Sequence, residues 1–301
     1  MPTGGAASPT LQTMRFVVVA HTSSETNEAL ADAAESLGLP AAVLTPRDAL
    51  RVLEPGDVAL ARLDVRAELD GIESGMLELE RLAEGGVHLL NTAGALAAVH
   101  DKLLTARTLR RAGLPHPHTL LITQGAPPHA PELPLVLKPR FGSWGREVTL
   151  CRTRDELAAE LTRIERRSWY REHGVLAQEL VPPKGWDIRV VVAAGRVIGA
   201  AQRIAAEGEW RTNVSLGGRT EPFAPPPLAR TLAIAAASAA RADLVGVDLL
   251  PTRNGFVVSE LNGAVDFHPW YALGAADVHA DAVSELLYAV YDRRAARTLT
   301  A

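Results

Sequence analysis

The chain has 301 residues, which at roughly 100–200 residues per domain means two or three domains. Hydrophobic residues make up 47% and charged residues 22%, as in an ordinary soluble globular protein, and the net charge of -4 argues against a general binder of nucleic acid or anionic membranes. A local basic pocket for a phosphorylated ligand stays open, and the single cysteine, Cys151, excludes an intrachain disulfide and fits a cytoplasmic compartment.

The first residues, 1–13, lack a basic start and an apolar core, so they read as a disordered tail rather than a signal. Strands are predicted at Phe16–Ala20, Ala41–Leu44, Asp57–Ala61 and Val87–Leu90, with helices around Glu28–Leu37 and Gly75–Ala83. That alternation predicts a parallel α/β domain over 14–92. Its first strand-to-helix turn, AHTSSETNE, contains no glycine, which argues against a dinucleotide fingerprint. Asp101 can cap a helix from Lys102 to about Ala112, ended by Gly113 and Pro115. After a connection with Pro127, Pro128, Pro131 and Pro134, the stretch LVLKPRFGSWGREVTL reads as a hairpin with a glycine-containing turn. A helix at Asp155–Arg166 precedes antiparallel strands at Val175–Leu180, Ile188–Ala193 and Arg196–Arg203, with Ala194-Gly195 as a tight turn. A helix at Leu228–Ala240, strands at Val245–Leu250 and Phe256–Leu261, and a helix at Asp277–Tyr291 complete the chain. The apolar run near Leu232–Ala240 is too short to span a bilayer.

Several residues carry chemistry rather than fold. Lys138 ends an apolar strand just before Gly142-Ser143-Trp144-Gly145, where glycine lets backbone N–H groups line up on phosphates while the ammonium supplies charge. Taken alone, such a lysine is more often just a solvated strand end. Lys102 lies in a first helical turn, where anions are attracted and a cation is slightly unfavourable. Asp187 and Arg189 share one strand face, and Arg203, Arg211 and Asn213 follow close by. Charges this near core strands face a ligand or pair with one another, and an Asp187–Arg189 ion pair is the structural alternative. Cys151, after an apolar run, reads as a small buried residue rather than a nucleophile, because no paired His and acid surround it.

The stretch VVSELNGAVDFHP places Glu260 and Asn262 two apart and hence on one strand face. If the preceding hairpin turns through a three-residue loop, Arg253-Asn254-Gly255, Thr252 faces Phe256 and Asp248 lies opposite Glu260; a two-residue loop would shift the register and turn Asp248 away. Facing carboxylates repel without a cation, and two carboxylates with an amide are oxygen ligands suited to Mg2+. The tail of the stretch, Gly263–Tyr271, starts beside those ligands and carries Asp266, His268, Trp270 and Tyr271. A substrate-recognition loop is expected, with Asp266 a candidate for an amino group and His268 a candidate contact. Packing of Phe267 and Trp270 under the last helix is the alternative for those two, and a surface or loop position is the plainer reading of His268 and His279.

In this order, DKLLTARTLRRAGLP, VLKPRFGSWG, QEL with GWDIRVVV, AAQR, WRTN, GVDLL and SELN resemble the ATP-grasp superfamily, and within it the RimK-like carboxylate–amine (glutamate) ligases, from about Asn91 onward. The resemblance implies an α/β and α+β protein with an ATP-grasp fold. An N-terminal parallel α/β domain (14–92) would precede a central lobe with a glycine-rich lid (93–177) and a C-terminal lobe with the metal site (178–296), the lobes enclosing the nucleotide. It implies ATP phosphates on Lys102 and Lys138 under a lid that includes Gly142, Ser143 and Gly145. Glu179 and Leu180 would bracket the adenine, and Asp187 would contact the nucleotide. Arg203, Arg211 and Asn213 would stand near the transferring phosphate, and Asp248, Glu260 and Asn262 would hold two Mg2+ ions, for which Mn2+ could substitute. The implied activity is amide or peptide bond formation through an acyl phosphate, between a small-molecule or peptide carboxylate and an amine such as an amino acid, glutamate included. An ATP-binding module without turnover and a phosphotransferase with a non-amine acceptor are the alternatives. No nucleic-acid or membrane partner is expected, and a homo-oligomer is compatible. Relatives of this kind often follow the last acidic motif with a Ser-Pro-Gly-like loop, whereas this chain reads GAVDFHPWYALG. The departure falls on the part expected to recognise the substrates.

Overall fold

A computed structural model describes residues 14–125, 132–274 and 277–300. The expected tail (1–13) and Pro127, Pro128 and Pro131 lie outside the described residues. The first unit contains β1 (Phe16–Val19), α1 (Glu25–Ser36), β2 (Ala41–Leu44), α2 (Pro46–Val52), β3 (Val58–Ala61), α3 (Met76–Glu84) and β4 (His88–Leu90). Its strands form a parallel sheet in the order β2-β1-β3-β4. Every residue of β1 and β3 is buried, so these strands read as continuous apolar runs, as parallel strands covered on both faces do. The connections leave β1 in opposite directions, so a crevice opens beyond the carboxyl ends of β1 and β3. The segments at its lips are His21–Ser24 and Arg62–Asp64.

Two helices, α4 (Ala93–His100) and α5 (Lys102–Arg111), meet at Asp101, whose Oδ1 accepts from Leu103 N at 3.0 Å and Leu104 N at 3.3 Å and so caps α5. A second, antiparallel sheet combines β5 (Thr119–Ile122), β6 (Leu135–Pro139), β7 (Thr149–Cys151) and β8 (Val175–Glu179) in the order β5-β8-β6-β7, with α6 (Arg154–Ile164) and α7 (Ser168–His173) inserted before β8. The third sheet is antiparallel too. It contains β9 (Trp186–Ala193), β10 (Arg196–Ile204), β11 (Arg219–Pro222), β12 (Leu244–Thr252) and β13 (Gly255–Asn262) in the order β11-β10-β9-β12-β13. Helix α8 (Pro227–Ala239) packs on one face, and α9 (Val278–Thr300) joins the other face to α1. No helix among the described residues is long and apolar enough to cross a membrane.

The predicted strands and longer helices are present with ends shifted by a few residues, except that α9 runs nine residues past the predicted end at Tyr291, and α2, α4, α7, β5 and β11 are additions. Helix α2 had a legible start: the Thr45 hydroxyl accepts from Asp48 N at 3.2 Å, and Pro46 fills the first turn. The turn at Ala194-Gly195 has φ of 47° and 80°, the two left-handed residues of a tight hairpin. Cys151 is buried, and burial pushes its thiol up to about 11, in keeping with an inert core residue.

Asn91, at the end of β4, ties the first sheet to the third. Its Oδ1 accepts from Asp243 N (2.8 Å) and Leu244 N (3.1 Å), its Nδ2 donates to the Leu244 carbonyl (2.8 Å), and its own N–H donates to Asp243 Oδ2 (2.7 Å). It does so at φ 55°, a conformation asparagine tolerates better than most residues. Asn91→Ala would leave two buried amide donors without acceptors and put alanine at a left-handed φ, so a loss of about 2–4 kcal/mol is expected. Chemical denaturation checks this; an unchanged midpoint would mean that the joint contributes nothing.

Candidate active site

The site starts from the middle of the third sheet, where charged residues interrupt apolar strands. Asp248 on β12 is buried, and Arg189 on β9 grips it with two bonds, Nε to Oδ1 at 2.8 Å and Nη2 to Oδ2 at 2.9 Å. Arg203 on β10 reaches Asp248 Oδ2 at 2.9 Å and holds Asp187 bidentately, at 2.7 and 2.6 Å. Thr212 Oγ1 donates to Asp187 at 2.5 Å. Burial alone would raise the Asp248 carboxyl, but Arg189 and Arg203 pull it well below the usual carboxylate range. The Asp187–Arg189 pair, the structural alternative for these residues, is therefore not formed. Each residue pairs instead across the sheet, because neighbouring strands bring Arg203 opposite Asp187 and Asp248 opposite Arg189.

Asp248 does lie opposite Glu260, but through a different turn from the one expected. Thr252 pairs with Gly255, so the loop is the two-residue Arg253-Asn254. The register then slips by one between Asp248 and Leu249, leaving Ser259 as the extra residue of a bulge, and that slip restores the facing carboxylates. Both carboxylates line one cavity. Asn262 Nδ2 approaches Asp248 Oδ2 at 3.4 Å.

The lysines arrive from elsewhere. Asp101, besides capping α5, binds Arg140 at the end of β6 at 2.8 and 2.5 Å, which fixes the first turn of α5 beside that strand. Lys102 then places Nζ 2.6 Å from Glu260 Oε1 and donates to the Gly142 carbonyl. Lys138, 6% exposed, faces the same cavity, and its ammonium makes no hydrogen bond or ion pair among the described residues. Burial lowers its ammonium to about 8, an effect that Lys102 reinforces and Glu260 and Asp248 oppose. The Gly142–Gly145 turn lies over this cavity. Gly145, at φ 69°, packs so closely on Asn213 that a Cβ would stand 2.7 Å from its Oδ1, so any other residue there is strained and must displace Asn213. Ser215 Oγ donates to the Trp144 carbonyl at 2.9 Å, and Arg211 donates to the Val148 carbonyl at 3.1 Å. Arg211 is also paired with Glu209 at 2.8 Å.

Lys102, Lys138, Gly142, Ser143, Gly145, Glu179, Leu180, Asp187, Arg203, Arg211, Asn213, Asp248 and Glu260 all border this cavity. Sequence reasoning missed its apolar wall, Val136, Trp186 and Leu250, whose pattern resembles any core strand, and it missed Arg189 as the clasp on Asp248. A second cavity, of about 260 Å³, borders Asn262, Asp266 and His268 and shares Ser143, Arg203 and Asn213 with the first. Within the substrate loop, Phe267 is buried under α9, while Trp270 is 37% exposed and stacks on His268. His279 is not a surface residue: it is buried, stacks on Phe267 and bonds the Phe267 carbonyl at 3.1 Å.

Residues 99–281 match the RimK-like ATP-grasp domain. The chain belongs to that family. It is 33% identical over 194 residues to the glutamate–LysW ligase ArgX of Sulfurisphaera tokodaii, covering 62% of this chain and 68% of that one. It is 32% identical over 201 residues to the ribosomal protein bS6–L-glutamate ligase of Shigella boydii, covering 63% and 64%. The crystal structure of a RimK domain ATP-grasp protein from Sphaerobacter thermophilus superposes with a TM-score of 0.65 at 24% identity, covering 91% of this chain and 99% of that one, which shows the shared ATP-grasp fold. This RimK-like protein is thus an ATP-grasp ligase that forms a C–N bond, and ATP is its nucleotide.

A phosphate contact at Lys138 would set a pH dependence. Nucleotide phosphates beside it would raise an ammonium that burial has lowered to about 8, so binding favours the protonated lysine. ATP affinity should be full below pH 8 and fall as pH rises above it, with proton uptake on binding. Calorimetry in buffers of different ionisation heat at pH 8.5 measures that uptake; none would remove Lys138 from the phosphate contacts.

Proposed function

We propose that the enzyme joins an amino acid or other amine, glutamate among the candidates, to the carboxylate of a small molecule or peptide through an acyl phosphate. The observation that carries this reading is the buried Lys138 ammonium, which faces a cavity and bonds no anion of the protein among the described residues. A buried cation without a partner is costly, and a phosphate chain is the ligand that relieves it. In this reading Lys102 and Lys138 bind the phosphates, with the lid residues Gly142, Ser143 and Gly145 above them. Glu179 and Leu180 border the adenine, and Asp187 holds Arg203 in place near the nucleotide.

Asp248, Glu260 and Asn262 fit a hard cation by their chemistry, two carboxylates and an amide oxygen on adjacent strand positions. Among the described residues no group of three or more His, Cys, Asp and Glu side chains could hold a metal alone, so nucleotide oxygens would have to supply the remaining ligands. When bound, Mg2+, as two ions and replaceable by Mn2+, neutralises phosphate charge. The three residues common to both cavities, Ser143, Arg203 and Asn213, stand where the substrate carboxylate meets the γ-phosphate, with Arg211 beside them. A carboxylate oxygen attacks the γ-phosphorus and ADP leaves. The neutral amine then attacks the acyl carbon, phosphate departs with the bonding pair, and the amine loses a proton. The protein's part is position, charge and exclusion of water.

ADP release measured with carboxylic acids and acidic peptides, with and without amines, tests the reaction. ADP formation and an amide product that require both substrates are expected; ADP release that never depends on an amine would favour a phosphotransferase. Glu260→Gln should lower kcat at least tenfold with the melting temperature nearly unchanged, and wild-type turnover at limiting Mg2+ would reject the metal role. Lys138→Ala should weaken ATP binding by about 1.5–3 kcal/mol in calorimetry, the worth of a charge-assisted hydrogen bond.

A further inference from the structure

The second cavity has a charge pattern that narrows the amine. Asp64, from the crevice beyond β3, and Asp266, from the loop after β13, both border it, and their side chains are about half exposed, at 44% and 50%. The cations around them are partly engaged: Arg189 and Arg203 bond through Nε and Nη2, and Arg62 Nη1 is buried without a hydrogen-bond partner. Arg189 and Arg203 bind Asp248 and Asp187, and Arg62 lies behind Asp266 with a side chain 1% exposed, bonded to Asn27 Oδ1 and the Val265 carbonyl and 3.4 Å from Asp266 Oδ1. Two tryptophans border the same space, the lid residue Trp144, 60% exposed, and Trp270, stacked on His268 with ring centroids 5.8 Å apart. Both keep much of their surface uncovered at a cavity mouth.

We infer that the amine substrate is dibasic, an amine carrying a second ammonium or guanidinium group that is held by Asp64 and Asp266 between the faces of Trp144 and Trp270. The inference rests on the ligase reading above and deepens it. Carboxylates with aromatic faces attract cations twice over, by charge and by the ring quadrupole. A glutamate side chain would bring a third carboxylate beside Asp64 and Asp266. Burial pushes the Asp64 carboxyl up, Glu73 and Asp266 add to the rise, and the Val65 N–H and Lys102 oppose it only in part, so a further cation beside it relieves the remaining cost. The two aspartates come from different sheets, so both carboxylates face the cavity only when the first and third sheets are docked.

The test is calorimetry of the full chain with L-ornithine, putrescine, L-alanine and L-glutamate, each with and without AMPPNP and Mg2+. The dibasic amines should bind at least tenfold more tightly than L-alanine or L-glutamate. The Asp64→Asn, Asp266→Asn double variant should lose that preference, with its fold checked by melting temperature and Asp64→Asn alone as the milder variant. Trp270→Ala should weaken the dibasic amines and leave glutamate unaffected. Equal or tighter binding of glutamate or alanine, no binding of either dibasic amine, or a preference that survives in Asp64→Asn overturns the inference. The AMPPNP titration separates the two readings: failure to bind nucleotide sinks the ligase mechanism whichever amine wins, whereas nucleotide binding with glutamate preferred sinks only the dibasic inference.

Discussion

Taking Asp248 out of water in the interior of a five-stranded sheet costs several kcal/mol, and the two guanidiniums that offset the cost fix much of what surrounds it. Arg189 holds the carboxylate from β9 and Arg203 from β10, and Arg203 in turn fixes Asp187. Charge balances along this chain of groups, which explains how it survives at a few percent exposure, but a hydrophobic replacement would stabilise the sheet as well. The ladder therefore contributes little net stability. What it does provide is a fixed acidic group beside Glu260 and a fixed guanidinium at the junction of two cavities.

A second constraint couples the lobes. Asp101 is both the cap of α5 and the partner of Arg140, so the helix start that carries Lys102 cannot move apart from the strand that carries Lys138. Lys102 bonds Glu260 on β13 and the Gly142 carbonyl in the lid turn, so one ammonium ties α5 to two other elements of the cavity. The lid is held from the other side through Ser215 and Arg211. An acyl phosphate hydrolyses if water reaches it, and a lid fastened to both sheets is suited to keep water out.

Much of this was legible in the sequence because the signals were local. The alternation of strands and helices, the Asp101 cap, and the spacing of Glu260 and Asn262 are properties of short windows. The turn after β12 was not legible, because a glycine can end a two-residue or a three-residue loop, and only the bulge at Ser259 decides which carboxylates face each other. The cross-strand partners of Arg189 and Arg203 were equally hidden, since pairing between β9, β10 and β12 is a matter of register that no single window contains. Helix α4 escaped for the opposite reason: five of its eight residues are buried and its apolar residues run nearly all round, so the period that marks a surface helix is missing.

The two cavities also differ in how far kinship informs them. Every residue bordering the nucleotide cavity falls within the stretch, 99–281, that matches the RimK-like domain. The second cavity draws Asp64 from outside that stretch, and its loop of Asp266, His268 and Trp270 is where the chain departs from the Ser-Pro-Gly-like pattern. Relatives that share the catalytic stretch can therefore share the handling of ATP while differing in the amine they accept. In the proposed reading the physical reason lies in the fold: phosphate binding draws on lysines and backbone beside the second and third sheets, whereas amine selection draws on a few side chains from the crevice of the first sheet and the loop after β13.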